Sequence, residues 1–295
     1  MLPVIFIFDL NAARGAVVGV AIGDALGAPF EGYPSRGLVT EMMGEGPHNR
    51  VKGGWTDDTL QMLAVAESLI TCRGFSAEDL MIRMIRGYRR HPEFYGPTSS
   101  LVFDLILAGR SPLQAAAEAG KRRRSRSNGA VMRGPPIGVM YNSGQVQEIS
   151  LLCAALTHAD PVPGACSAFV NQMISDLCRG VDRRTAHRHA CDRCREPEVA
   201  EMLGNYRDYQ PEPALDALLS THAALRFFLE AESFEDAVVH AVSIGGDTDT
   251  IGAICGALAG ACWGITAIPG RWISVLQGLN QLLWTADQLT LIAEP

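Results

Sequence analysis

The chain has 295 residues, 47% of them hydrophobic and 19% charged, with a formal net charge of −7. That length buries a large core in one or two domains, and the composition is that of a soluble globular protein. The acidic balance argues against nucleic-acid binding, which needs a basic face, and eight cysteines over such a length read as reduced thiols of a cytoplasmic protein, not as a disulfide scaffold.

From Leu2 to Phe8 the chain is apolar but has no basic flank, so a buried strand or a start-site extension is expected, not a signal peptide. Beyond it, three-to-four spacing of Ala, Leu, Met, Glu and Arg dominates. The expectation is an all-α fold, one domain over residues 1–295, with long helices joined by Gly/Pro turns. The first helix covers about Ala12 to Leu26. Gly15, Gly19, Gly23 and Gly27 form a stripe along it, repeated far downstream by Gly252, Gly256, Gly260 and Gly264. Glycine inside a helix costs about 1 kcal/mol relative to alanine, so the stripes call for a packing reason: two helices crossing at very short range. Asp24 and Glu31 flank the end of the first helix. Asp24 reads as a surface acid or as support for a ligand, and Glu31 as a loop residue.

Gly53-Gly54-Trp55-Thr56-Asp57-Asp58-Thr59 opens the next helix. A near-copy, Gly245-Gly246-Asp247-Thr248-Asp249-Thr250, opens the second glycine helix. A single acidic turn of this kind is an ordinary N-cap. Two doubly acidic turns, each behind Gly-Gly, offer enough hard oxygen donors for a pair of divalent cations, magnesium, manganese or calcium rather than zinc. Four carboxylates converging without cations would raise one another's pKa strongly.

Between the two turns, Ala77 to Arg90 reads as a helix with a solvated basic face, stopped by His91-Pro92. Gly96-Pro97-Thr98 opens a helix whose start is a possible anion cradle. The run Lys121 to Ser127, ending in Asn128-Gly129, is the strongest phosphate-binding segment, and His158 closes a later helix. His187, His189, Cys191 and Cys194 offer a weaker, softer metal alternative. Residues 213–241 read as two helices, the second opened by Ser233, and Trp272 to Ala293 as a final helix. The uncharged run from Ile251 to Ile268 is long enough to span a membrane, but its glycines and its abutting acidic turn favour a buried core helix.

Five stretches in order, Gly19-Val-Ala-Ile-Gly-Asp-Ala-Leu-Gly27, Thr56-Asp-Asp-Thr59, Ser127-Asn-Gly-Ala-Val-Met-Arg133, Thr157-His-Ala-Asp-Pro161 and Gly245-Gly-Asp-Thr-Asp-Thr-Ile-Gly252, resemble the ADP-ribosylglycohydrolase family. The resemblance implies a compact multi-helix bundle with two divalent cations, Mg2+ or Mn2+, in a cleft. It implies Thr56, Asp57, Asp58, Asp247, Asp249 and Thr250 as ligands and Glu31 as a mobile glutamate beside them. Gly96, Thr98, Ser125, Ser127 and Asn128 fall where the family holds the diphosphate and distal ribose, and His158 matches a histidine of the substrate cleft. The activity implied is metal-assisted hydrolysis that releases ADP-ribose from a modified protein or small conjugate. The alternative is a non-catalytic ADP-ribose or nucleotide binder on the same scaffold. Phe94 and Tyr95 stand where one subgroup carries an aspartate, so the acceptor is left open between arginine, serine and other linkages.

Overall fold

The computed structural model describes residues 8–46, 49–123 and 125–293. The apolar N-terminal stretch therefore lies, but for Phe8, outside the described residues. Among those residues there is no β-strand, only three isolated bridges: Pro34 with Gly245, Glu45 with Arg50 and Ser127 with Asp216. The chain folds as α1 (Leu10–Gly27), α2 (Asp57–Cys72), α3 (Ala77–Arg90), α4 (Pro97–Leu107), α5 (Pro112–Arg123), α6 (Gly129–Met132), α7 (Pro135–Met140) and α8 (Val146–Ala155). It continues as α9 (Pro161–Cys178), α10 (Arg183–Arg193), α11 (Pro197–Gly204), α12 (Ala217–Glu230), α13 (Phe234–Val242), α14 (Thr248–Trp263), α15 (Gly270–Ile273) and α16 (Leu279–Ile292).

Short polar side chains set many of the starts. Asp9, Asp160, Asp182 and Asp216 each accept a backbone N–H two residues on, and Ser76 and Ser233 one three residues on, satisfying donors that a helix N-terminus leaves unpaired. Proline at the first position of α4, α9 and α11 sits where its missing N–H costs nothing.

The two glycine helices meet at the centre. A methyl group on Gly15, Gly19 or Gly23 would lie 2.1, 2.0 or 1.9 Å from the carbonyl oxygen of Gly260, Gly256 or Gly252, respectively. At the far end, one on Gly27 would lie 2.4 Å from that of Thr248. Pairing in this order means that α1 and α14 run antiparallel, backbone against backbone, which only glycine permits. Both are buried over nearly their whole length, with α2, α7, α9, α12, α13 and α16 packed around them. The apolar run from Ile251 is thus a core helix, ended at Gly264 (φ 77°). No helix among the described residues is long and apolar enough to cross a membrane.

The C-terminal region differs from the single helix that its apolar periodicity suggests. It is split into α15 and α16, because Gly278 adopts a left-handed conformation (φ 72°) and the intervening chain turns in to bond the first acidic turn. There Gln277 N donates to the Gly53 carbonyl at 2.9 Å, and Trp55 Nε1 donates to the Gln277 carbonyl at 3.0 Å.

Candidate active site

The antiparallel crossing sets the C-terminal end of α1 against the N-terminal end of α14, so Asp24 arrives beside Asp249. Asp24 is fully buried, and it is not alone. It accepts from Thr56 N at 2.9 Å, Thr56 Oγ1 at 2.9 Å, Thr59 N at 3.0 Å and Thr59 Oγ1 at 2.6 Å. The first acidic turn is thereby hung on α1. The second is hung on the same helix by Thr248 Oγ1, which donates to the Gly27 carbonyl at 2.8 Å.

Glu31 is brought in by backbone pairing. Gly32 N donates to the Gly246 carbonyl at 2.7 Å and Gly246 N to the Tyr33 carbonyl at 2.8 Å. Gly246 has φ 64°, and a methyl group there would lie 2.3 Å from the Pro213 carbonyl oxygen. Both the left-handed turn and the space require glycine.

The two acidic turns are therefore neighbours. Carboxylate oxygens of Asp24, Asp58 and Asp249 lie within 4.8 Å of one another, and so do those of Glu31, Asp247 and Asp249. Asp249 belongs to both triads. Thr56 and Thr250 are buried beside them, Thr56 Oγ1 lying 3.5 Å from Asp58 Oδ2. Asp57 lines the same cleft outside both triads, its Oδ2 accepting from Gln61 Nε2 at 2.9 Å.

Burial pushes the carboxyls of Asp24, Asp58 and Asp249 upward. The charges of Asp24, Asp57 and Asp247 add to this at Asp58, and those of Asp58, Asp247, Glu31 and Asp24 at Asp249. Asp247 rises to about 7 through burial and the Glu31 charge, against the hydrogen bond from Asn128. Among the described residues no basic side chain forms an ion pair with any of these four aspartates, and the buried Asp58 Oδ1 has no hydrogen-bond partner. A buried set of carboxylate oxygens, one of them orphaned at Asp58 Oδ1, fits divalent cations that take hard oxygen ligands.

The triads sit at the base of a cleft of about 660 Å³. Its other wall carries the remaining sequence-picked residues. Asn128 Nδ2 donates to Asp247 Oδ2 at 2.5 Å. Ser127 Oγ lies 3.0 Å from His158 Nε2, whose Nδ1 lies 2.8 Å from Thr157 Oγ1. Thr98 Oγ1 donates to Ser125 Oγ at 2.8 Å. Gly96 and Thr98, at the start of α4, also line the cleft. His158 is held neutral, pushed down to about 3 by burial and by the Arg133 guanidinium.

Sequence reasoning missed several supports. Gln61 orients Asp57 and also accepts from Arg133 Nη1 at 3.4 Å. Arg126, from the basic run, forms ion pairs with Glu198 at 2.8 Å and Asp216 at 3.1 Å, tying the Ser127 segment to the start of α12. Asp24, read from the sequence as a surface acid or as support for a ligand, is fully buried and holds the first acidic turn, since a buried carboxylate needs donors.

The softer metal alternative gains no support, because its side chains diverge. His187 Nε2 lies 2.9 Å from the Leu203 carbonyl oxygen and 3.6 Å from Cys191 Sγ. His189 turns away to Asp176 at 2.9 Å, and Cys194 Sγ donates to the Glu196 carbonyl.

A model of the family described as ADP-ribosylglycohydrolase matches residues 8–294. The chain belongs to the ADP-ribosylglycohydrolase family. Among its relatives, the ADP-ribosylarginine hydrolase Tri1 of Serratia proteamaculans is 28% identical over 97% of this chain and 80% of its own length. The ADP-ribosyl-[dinitrogen reductase] glycohydrolase of Rhodospirillum rubrum is 27% identical over 90% of each chain. A solved ADP-ribosylglycohydrolase-related protein complex superposes with a TM-score of 0.86 at 32% identity, over 97% of this chain and 99% of that one. The all-α bundle is thus the ADP-ribosylglycohydrolase fold.

Proposed function

We propose that the chain is a divalent-cation-dependent hydrolase, folded as one domain, that cleaves the glycosidic bond between ADP-ribose and an acceptor on a protein or small conjugate. The observation that carries this reading is the pair of carboxylate triads sharing Asp249 at the base of a cleft lined by hydroxyl and amide groups. Thr56, Asp57, Asp58, Asp247, Asp249 and Thr250, with Asp24 behind them, would hold two cations, Mg2+ or Mn2+. Bound there, the cations would orient a sugar diol and acidify a water.

The chain's own residues do the rest. Glu31 stands at the rim, half-buried beside Asp247 and Asp249, where it takes the proton from the attacking water. The reaction passes through an oxocarbenium-like state at the anomeric carbon, so a nearby carboxylate stabilises it as well. The backbone N–H groups at the start of α4, with Gly96, Thr98 and Ser125, receive the diphosphate. Ser127, Asn128 and His158 position the distal ribose. His158, kept neutral, serves as a hydrogen-bond partner and not as a charge.

The deciding experiment incubates the protein with arginine-, serine- and acyl-linked ADP-ribose conjugates, with and without Mg2+ or Mn2+, and identifies the product. Free ADP-ribose that appears only with the cation is the expected result. Tight ADP-ribose binding without release from any conjugate would replace the hydrolase reading with that of a binding protein.

A further inference from the structure

Behind the cleft lies a guanidinium that the proposed reaction does not use. Arg133 ends the short helix α6, which begins just after Asn128, and it is fully buried. Among the described residues no carboxylate forms an ion pair with it. Its neighbours are Gln61, Thr157, Cys153 and Tyr95. Burial pushes the Cys153 thiol and the Tyr95 hydroxyl upward, so neither supplies a counter-charge. Its Nε finds no partner. Burying an unpaired charge costs more than burying a neutral group, so a guanidinium here needs a reason.

The reason lies in what a guanidinium cannot do: it donates hydrogen bonds and never accepts them. Arg133 Nη1 donates to Gln61 Oε1 at 3.4 Å, and Nη2 to Thr157 Oγ1 at 2.5 Å. The first bond fixes the Gln61 amide. Its oxygen must face Arg133, so its Nε2 must face Asp57 Oδ2, to which it donates at 2.9 Å. The second bond fixes Thr157. Among the described residues this buried hydroxyl bonds only Arg133 and His158 Nδ1, the latter at 2.8 Å. Oγ1 accepts from Arg133, so its own proton goes to Nδ1. The reverse would leave a buried hydroxyl proton without an acceptor. The His158 ring is neutral, so its one hydrogen sits on Nε2 and is donated to Ser127 Oγ at 3.0 Å. Ser127 Oγ accepts there and makes no other hydrogen bond among the described residues. Its own proton is therefore directed into the cleft that Ser127 lines.

We infer that Arg133 is a positioning residue for the site, a donor-only fork that sets the direction of two hydrogen-bonded paths. One runs through Gln61 to Asp57. The other runs through Thr157 and His158 to Ser127, which thereby meets the substrate as a donor, so the ligand group at Ser127 must offer an oxygen lone pair. A neutral amide in place of Arg133 could donate or accept at each contact and would leave both paths free to reverse. The inference rests on the proposed function for the identity of the ligands, ADP-ribose and a divalent cation.

Two measurements on the full chain test it. Long-range 1H–15N NMR spectra, with the His158 signals assigned by their loss in His158→Gln, should show a single neutral tautomer with the hydrogen on Nε2. A hydrogen on Nδ1 would overturn the inference. Calorimetry then reads Mn2+ affinity without ligand and ADP-ribose affinity at saturating Mn2+, with thermal melts confirming the fold of each variant. Gln61→Leu cuts one path and should weaken Mn2+ about tenfold while sparing ADP-ribose. Thr157→Val cuts the other and should weaken ADP-ribose about fivefold while sparing Mn2+. Arg133→Met should weaken both, and adding Thr157→Val to it should cost ADP-ribose no further affinity, because both changes break the same path. Retention of both affinities in Arg133→Met would overturn the inference. So would Gln61→Leu and Thr157→Val each weakening both ligands alike, the mark of a loosened fold and not of two paths. If the melts show that Arg133→Met does not fold, the two single-path variants and the tautomer decide. None of these readouts needs turnover. A protein that passes them but releases ADP-ribose from no conjugate would lose the hydrolase reading and keep the role of Arg133.

Discussion

Asp24 touches no part of the open cleft, yet the relation of the two acidic turns passes through it. Four donors from Thr56 and Thr59 converge on its carboxylate, and an asparagine would set an N–H2 against at least one of them. Residues that orient ligands from behind typically contribute 10–100-fold to metal affinity. Asp24→Asn is therefore expected to weaken Mn2+ binding at least about tenfold in calorimetric titration, and unchanged affinity would show that the turn holds its shape unaided. His158 makes a different prediction. Its pKa, pushed down to about 3, keeps the ring neutral, so its imidazole NMR signals should not shift between pH 5 and 8. His158→Gln should weaken ADP-ribose binding without changing the shape of the pH–rate profile. A limb near pH 6.5 that vanishes in the variant would mean that His158 titrates in the working enzyme.

At the scale of the element, the glycine stripes join stability to the site. An alanine gains about 1 kcal/mol of helix preference over glycine. In α1, however, its methyl group would meet a carbonyl oxygen of α14 near 2 Å, and backbone cannot swing aside as a side chain does. We expect Gly15→Ala and Gly23→Ala each to lose about 2 kcal/mol or more in urea denaturation. Gly23→Ala, next to Asp24, should also impair cation binding, whereas Gly15→Ala, at the far end, should impair it much less. Gly270→Ala, with no heavy atom within 4 Å of the added methyl, should be neutral. The stripes were legible in the sequence because repeated glycine inside a helix demands a packing reason. Their antiparallel sense was not, since either direction satisfies a four-residue spacing. The break at Gly278 escaped notice because apolar periodicity runs straight through it, and the reason for the break, Gly53 and Trp55, lies more than two hundred residues away. The same holds for Glu31, placed by a backbone pairing with Gly246 that no local pattern encodes. The acidic turns announced themselves by composition, and so did the segment from Lys121 to Asn128 as a phosphate binder, whereas the separate parts of its Ser125, Ser127 and Asn128 came only from the family resemblance.

For the whole molecule, the buried acids couple stability to pH and to cations. Asp24, Asp58, Asp247 and Asp249 all have folded-state pKa values above the ordinary aspartate range. The folded protein without cations therefore binds more protons than the unfolded chain between about pH 4, the ordinary aspartate value, and the raised values, which at Asp247 reach about 7. The stability this contributes is fully present below the unfolded pKa and is lost as pH rises through the folded one. The EDTA-treated protein should accordingly melt higher at pH 5.5 than at pH 8. Cations reverse the trend, because they bind the ionised carboxylates and displace the protons. At a hundredfold excess over Kd they add about 2.7 kcal/mol, or roughly 5 °C for a chain of this size, and this gain should be larger at pH 8 than at pH 5.5. Asp249→Asn removes the carboxylate common to both triads. It should raise the melting temperature of the EDTA-treated protein at pH 8 while abolishing most of the cation-induced increase. A natural protein whose EDTA-treated melting temperature rises with pH, or whose cation response is equal at both pH values, would mean that the four aspartates do not titrate as one buried cluster.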